Sequence, residues 1–491
     1  MTATRPHVSL VLLPGVGRRR TPSRGWRRLG CELVRGAGDG SVVDAAREGV
    51  ARATGEFVAF VTAGDTVCAD GLETARCVAG EADVDVVYTD EASREPGRPP
   101  FFKPDWSPER LLGHNYIGRL ALLRRSLVDA VGGVRDVGPT GWEHDLLLRL
   151  TAAARRVEHV PIIGYAGAPM GRALASPTDA DDVVGTHLRY RNLSAVAELD
   201  PNGRTFRLRP RLSDTPLVSI VIPTGGFRRR VRGETVDLVA NAVESVMGRS
   251  SYPNVEVVVV ADPTVEDATH RRLAAAAGDQ LRIVEYTEPF NFARKINLGV
   301  LHCRGDFVVL LNDDTAVRSP GWVESLLVYA LDPEIGAVGA LLRFGDGRYQ
   351  HVGVVALEGN PGHPYYGFPA DYPGYHDNLA VPANYLAVTG ACLMTRRAAF
   401  DQVGGLSTAF PSNYNDVDYC LKLRRAGLRT VWTPDAELFH YETSSREPGP
   451  VAQEELDRLR ARWNEPLHHD PYYSPNFLRT ADFLVPLGAG E

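Results

Sequence analysis

Arg304-Gly-Asp-Phe-Val-Val-Leu-Leu-Asn-Asp-Asp-Thr-Ala-Val317 is the stretch whose reading decides the fold. The apolar run Phe307 to Leu311 has the length of a fully buried strand, and it stops abruptly in Asn312, Asp313 and Asp314. In a parallel α/β sheet the carboxyl ends of the strands open into the ligand crevice. Carboxylate oxygens there suit Mg²⁺ or Mn²⁺, which needs only one or two of them when a diphosphate supplies further oxygens. Acidic turns after strands also serve as solvated loops or helix caps, so the neighbouring sequence has to decide.

Upstream, Leu217-Val-Ser-Ile-Val-Ile-Pro223 predicts a second buried strand, followed by an Arg-rich loop, a helix over Asp237–Met247 and a strand over Val255–Val260. Strand, helix and strand in this order predict a parallel sheet. Further upstream the pattern repeats. Ala53-Thr-Gly-Glu-Phe-Val-Ala-Phe-Val61 parallels Cys303–Leu311, and Leu122-Leu-Arg-Arg-Ser-Leu-Val-Asp-Ala-Val-Gly-Gly133 parallels Met394–Gly405. Offsets of 250 to 272 residues are too long for a solenoid and fit a duplicated domain. The predicted organisation is α/β: a first unit over 1–170, a polar linker over 171–216 with a short helix near Val183–Leu199, and a second unit over 217–491. A length of 491 residues accommodates two large cores.

Composition narrows the function classes. A net charge of -7 argues against a general nucleic-acid binder. The six cysteines form no CxxC pair, which points to a reducing, cytoplasmic compartment without structural zinc. No apolar run reaches membrane-spanning length. The basic segment Arg18–Arg28 reads first as a solvated loop and second as a peripheral contact with an anionic membrane face. Gly15-Val-Gly17 lacks the third glycine of a dinucleotide fingerprint, because Arg20 stands there.

Chemistry concentrates in three places in the second unit: Asn312-Asp313-Asp314, the segment Asn413–Gly427, and Glu437-Leu-Phe-His-Tyr-Glu442. In the middle segment Tyr419, Leu421 and Leu423 with flanking cations predict an amphipathic helix. Asn415 and Asp416 then lie at its N-terminus, where the helix dipole favours a carboxylate. The paired acids recur in the first unit as Glu143-His-Asp145. His440, placed after a strand at Thr430–Trp432 and its turn, is positioned to reach the crevice that Asp314 faces.

Together with Pro289-Phe-Asn-Phe-Ala-Arg-Lys-Ile-Asn-Leu-Gly299 and Thr389-Gly-Ala-Cys-Leu-Met394, these motifs resemble the inverting family-2 glycosyltransferases of the GT-A fold, in the rhamnosyltransferase and O-antigen flavour. Five motifs occur in order over about residues 217–478. The resemblance implies two tandem Rossmann-like domains, the first degenerate. It also implies a nucleoside-diphosphate sugar donor (dTDP-, UDP- or GDP-linked), a Mn²⁺ or Mg²⁺ cofactor, and a saccharide, lipid-linked or natural-product acceptor. Asp313, Asp314 and His440 take the metal role, and Asp416 that of general base on the acceptor hydroxyl. Pro223, Thr224, Asp262, Asn291, Lys295, Asn312 and Arg446 are candidates for the nucleotide sugar; Asn415, Tyr365, Tyr366 and Trp463 for the acceptor. Two departures stand out: Asn312 replaces the first acid of the metal motif, and Ala261 the base-reading acid, with Asp262 one step on.

The first unit has Thr62-Ala63-Gly64 where the second has Asn312-Asp313-Asp314, with only Asp65 following, and the His440 position falls near Tyr165-Ala166. It reads as a degenerate, non-catalytic copy retained for packing or acceptor binding. The loop Gly359–Tyr375, rich in Tyr and Gly, reads equally as a sugar-stacking lid or as an Ω-like loop packed by its own aromatics. His468-His-Asp470 reads as docking structure. Against glycosyl transfer stand a non-catalytic glycan-binding scaffold and a sugar nucleotidyltransferase. The latter wants a Gly-rich basic loop after the first strand, which Thr224–Arg230 offers only loosely.

Overall fold

The structure, a computed structural model, describes residues 5–14, 30–36, 41–95, 97–167, 180–201, 203–231, 233–441 and 453–478. Gly15–Gly17, the basic segment Arg18–Arg28 and Arg446 lie outside them.

Two sheets carry the chain, and their strand orders coincide. The first runs Glu32–Arg35, Val8–Leu13, Phe57–Thr62, Leu122–Arg124, Val86–Ser93, Val157–Gly167, Thr66–Val67. The second runs Val255–Ala261, Val218–Thr224, Phe307–Leu311, Cys392–Arg396, Ile335–Arg343, Arg429–His440, Thr315–Val317, with Leu281–Glu285 added at its outer edge. Directions match as well. In each, the three strands at the start are parallel, the fourth is antiparallel to both its neighbours, and the short last strand pairs antiparallel with the long one. The duplication read from sequence is therefore a duplication of topology.

Strands of the second sheet are apolar on both faces because both faces are covered. Ile220, Ile222, Val257 and Val259 join one core, while Val221, Val258, Val308 and Leu310 join the other. The first of these cores runs on without a break into the first unit through Phe206, Leu111 and Trp142.

Three local expectations change. The Arg-rich stretch after Thr224 is a hairpin, Arg228–Val231 against Glu234–Asp237, in which alternation spaces the arginines along a half-exposed ribbon. The helix expected over Val183–Leu199 ends at Tyr190. Its remainder is the strand Ala195–Leu199, which pairs antiparallel with Phe206–Pro210. The strand at Thr430–Trp432 extends to His440, because Pro434 and Asp435 are absorbed where the register jumps from Thr433 to Glu437. His440 thus ends a strand instead of following a turn.

Candidate active site

Thr224, Asp262 and Asn312 each lie at or just beyond the carboxyl end of one of three adjacent parallel strands, so they share one crevice rim. Lys295, on the helix Phe292–Leu301, links two of them: its Nζ donates to the Thr224 carbonyl at 2.9 Å and meets Asp262 at 2.5 Å. The rings of Tyr286 and Phe290 face the same ammonium. Pro223 is buried within its strand. Asn291 caps the Lys295 helix, accepting from Arg294 N and donating to the Thr408 carbonyl, which commits both ends of its amide to the scaffold.

Behind Asn312, Asp313 and Asp314 are almost fully buried. The Thr224 hydroxyl donates to Asp313 at 2.7 Å. Burial, with the neighbouring Asp314 charge added to it, pushes the Asp313 carboxyl well above the usual carboxylate range. Thr315 pairs with His440 across the sheet, which brings His440 Nε2 to 3.0 Å from Asp314 Oδ1 and 3.3 Å from Asn312 Nδ2. On the other side of the imidazole, Nδ1 lies 2.8 Å from Gln350 Oε1. An Nδ1–H donating to Gln350 leaves the Nε2 lone pair of a neutral ring facing a carboxylate.

This arrangement fits a divalent cation. Asp314 and His440 bring acceptor atoms within 3.0 Å of each other, and the buried Asn312 Oδ1 beside them has no hydrogen-bond partner. Oxygen donors with one imidazole are compatible with Mn²⁺. Among the described residues no group of three or more His, Cys, Asp or Glu side chains is placed to hold a metal ion by itself. An ion held at Asp314 and His440 would need further oxygens from a ligand such as a diphosphate.

Asp416 stands in the first turn of the helix Asn415–Arg425, which is entered through Tyr414 at φ 59°. Its two carboxylate oxygens accept from Gly390 N and Val417 N, each at 2.8 Å. The next residue after Gly390 ties this carboxylate to the metal-side rim, since Asn312 N donates to the Ala391 carbonyl at 3.1 Å. A Cβ on residue 390 would lie 3.5 Å from the Asp416 Cβ, an ordinary contact, so the amide matters there more than the missing side chain. Asn415 is buried.

The other acceptor candidates separate. Tyr365 is enclosed, its hydroxyl bonded to Asn378 Oδ1 and Tyr375 N and its ring packed on Phe368 and Tyr372. It belongs to the loop's own aromatic core and is no sugar platform. Tyr366, 45% exposed, presents its ring beside Phe344. Trp463 is buried too, and its Nε1 donates to Asp418 at 2.8 Å, bracing the helix that carries Asp416 from behind. Gln350 and Gly390 are contributors that the sequence did not announce. Gly390 sits inside the Thr389–Met394 motif, which was the available signal; Gln350 had none.

In the first unit the equivalent carboxylates are closed off. Thr66 pairs with Ala166 as Thr315 pairs with His440, so Asp65 takes the place of Asp314 and Ala166 that of the imidazole. The Tyr165 hydroxyl donates to Asp65, and Arg94 sits 3.2 Å from its other oxygen. Glu143, in the first turn of the helix Trp142–Ala153, is ion-paired with Arg119 at 3.1 Å.

Strand order and crevice define the doubly wound α/β class, whose ligands sit at the carboxyl ends of the strands. Within it the chain belongs to glycosyltransferase family 2, and its second sheet is the GT-A fold of that family: the family model described as "Glycosyltransferase like family 2" matches residues 216–465. The chain is 33% identical over 473 residues to the uncharacterized protein y4gI of Sinorhizobium fredii, covering 91% of this chain and 51% of that one. It is 31% identical to the O-antigen biosynthesis protein RfbC of Myxococcus xanthus, over 98% of this chain and 37% of that one. A shorter match, 29% identical over 30% of this chain and 50% of the other, is to the N-acetylglucosaminyl-diphospho-decaprenol L-rhamnosyltransferase of Mycobacterium tuberculosis. The chain therefore spans about half or less of the length of these relatives. Among the described residues no helix is long and apolar enough to cross a membrane.

Proposed function

We propose that the second unit is a metal-dependent, inverting glycosyltransferase that moves a sugar from a nucleoside diphosphate to an acceptor hydroxyl. The observation that carries this reading is that the rim where Asp314 meets His440 is bonded, through Asn312 N and the Ala391 carbonyl, to the segment whose Gly390 amide holds the Asp416 carboxylate. A bound Mn²⁺ or Mg²⁺ supplies Lewis-acid stabilisation of the departing diphosphate. Asp416 takes the acceptor proton, its oxygens held in place by two amides, and the incoming oxygen attacks the anomeric carbon from the face opposite the leaving group. Lys295 and Asp262 hold the strand-end rim beside the nucleotide, and Tyr366 offers the exposed ring near the acceptor side. The relatives named for O-antigen biosynthesis and rhamnosyl transfer support a deoxyhexose donor and a polysaccharide or lipid-linked acceptor.

The decisive experiment is calorimetry across UDP-, GDP- and dTDP-sugars with and without Mn²⁺. One donor is expected to bind in a metal-dependent manner, and Asp314→Ala to lose that binding. Donor binding indifferent to both EDTA and Asp314→Ala would sink the reading.

The first unit serves packing in this scheme. Arg94 on Asp65 and Arg119 on Glu143 neutralise the two carboxylates that its catalytic counterpart leaves for substrate. Asp65→Asn should consequently leave donor affinity and turnover unchanged, and metal titration should give one ion per chain; two ions, or loss of activity in that variant, would contradict the assignment.

A further inference from the structure

Between the two units lies a cavity of about 30 Å³ whose wall includes Arg110, on the short helix Pro108–Gly113. Arg110 is only 7% exposed, and among the described residues neither its Nε nor its Nη2 finds a hydrogen-bond partner. Its guanidinium lies over the rings of Tyr116 and Phe101 at 5.4 and 5.6 Å. Cation–π contact of this kind offsets part of the cost of burying a charge, yet satisfies no N–H.

No carboxylate answers it. The neighbouring Glu109 is committed to Arg429 and Asn384 of the second unit. Glu91, nearby, is taken by Lys103 at 3.0 Å. The groups that act on the guanidinium are phenols, those of Tyr385, Tyr116, Tyr365 and Tyr375, and burial draws its pKa down. His114, close by, is buried with an unpartnered Nδ1, and burial followed by the Arg110 charge holds its pKa far below the usual range. The carboxylates nearby are thus already paired, and among the described residues lining the cavity none is an acid that could answer Arg110. An uncompensated buried ion remains costly even after relaxation.

We propose that this inter-unit cavity is a binding site for a small inorganic anion of halide size, which acts as the counter-ion of Arg110. Size and lining select the class. About 30 Å³ is room for two or so water-sized bodies, enough for a halide and far too little for a nucleotide or a sugar phosphate. The lining comes from both units, Ser107 and Arg110 of the first facing Asn378, Tyr385, Tyr472 and Ser474 of the second among apolar side chains, and it contains no acidic residue. The bound anion links the units, because Arg110 belongs to the first and Tyr385 to the second. The site is separate from the crevice and does not depend on the reaction proposed for it.

The test uses the full chain in two ways. Crystals grown in sodium bromide should show an anomalous peak in contact with the Arg110 guanidinium. Melting temperature should rise by a few degrees on titrating sodium chloride against sodium gluconate at constant ionic strength, and Arg110→Met should lose that chloride-specific rise. Ordered water without bromide in the cavity, or a chloride response that survives Arg110→Met, overturns the proposal. Should Arg110→Met fail to fold, the bromide map of the wild type decides alone.

Discussion

Asp416→Asn should lower kcat by about 10²–10⁴-fold, the range a positioned general base contributes. Asn keeps the side-chain shape and one acceptor oxygen, so one of the two amide contacts, from Gly390 N or Val417 N, survives. Losing the other is expected to cost about 1 kcal/mol of stability. In the proposed mechanism metal and donor are held at the opposite wall, by Asp314 and His440, so donor affinity by calorimetry should stay within about twofold while turnover collapses. That split is the diagnostic feature. A loss confined to KM would make Asp416 a binding residue, and unchanged turnover would remove it from the chemistry. The neighbouring Asp418 offers a control of the opposite kind. It is fully buried, bonded to Trp463 Nε1 and Arg462, so Asp418→Asn should weaken the fold around the helix before it touches the reaction.

Much of this site could be read in the chain, because its chemistry sits where periodicity breaks. An apolar strand that stops in acids, and a helix that starts on one, are local signals, and Asp314 and Asp416 lie where such signals point. Legibility fails where partners are distant or where neighbours differ only in direction. Gln350 orients His440 from 90 residues away, and Gly390 holds Asp416 through a backbone amide that has no side-chain signature. Tyr365 and Tyr366 are adjacent and chemically alike. The left-handed backbone at Tyr365, φ 61°, turns one ring into the core and leaves the other outside, which composition does not reveal. Pro434 and Asp435 read as a turn, yet the sheet takes them in at a bulge and carries His440 to its partner. In the first unit the missing second acid was visible in Thr62-Ala63-Gly64. That Arg94 and Arg119 neutralise the remaining acids was not, since each closes a contact more than 20 residues long.

The apolar core shared by the two units is joined by a charged clasp, and breaking it should have the largest effect on stability. Glu109 is 1% exposed. It receives Arg429 Nη2 at 3.0 Å on one oxygen and Asn384 Nδ2 at 2.6 Å on the other, while Asn384 Oδ1 accepts from the Ser107 hydroxyl at 2.8 Å. Glu109→Ala leaves Arg429 partly buried and Asn384 Nδ2 with only its longer bond to the Thr430 carbonyl, at 3.3 Å. Removing one partner of a buried pair costs roughly 3–5 kcal/mol, much of it the price of the charge left behind. The low end applies here, because Glu334 still reaches Arg429 Nη1 at 2.8 Å. Unfolding of a two-unit chain is not a single transition, so the expected signature is a lower first melting step and earlier proteolysis between the units. The double variant Glu109→Met with Arg429→Met removes the charges together and should recover part of the loss, since well-packed apolar replacements of a buried pair are often neutral. Equal melting of wild type and Glu109→Ala would mean that the clasp contributes nothing and that the apolar core alone holds the units together.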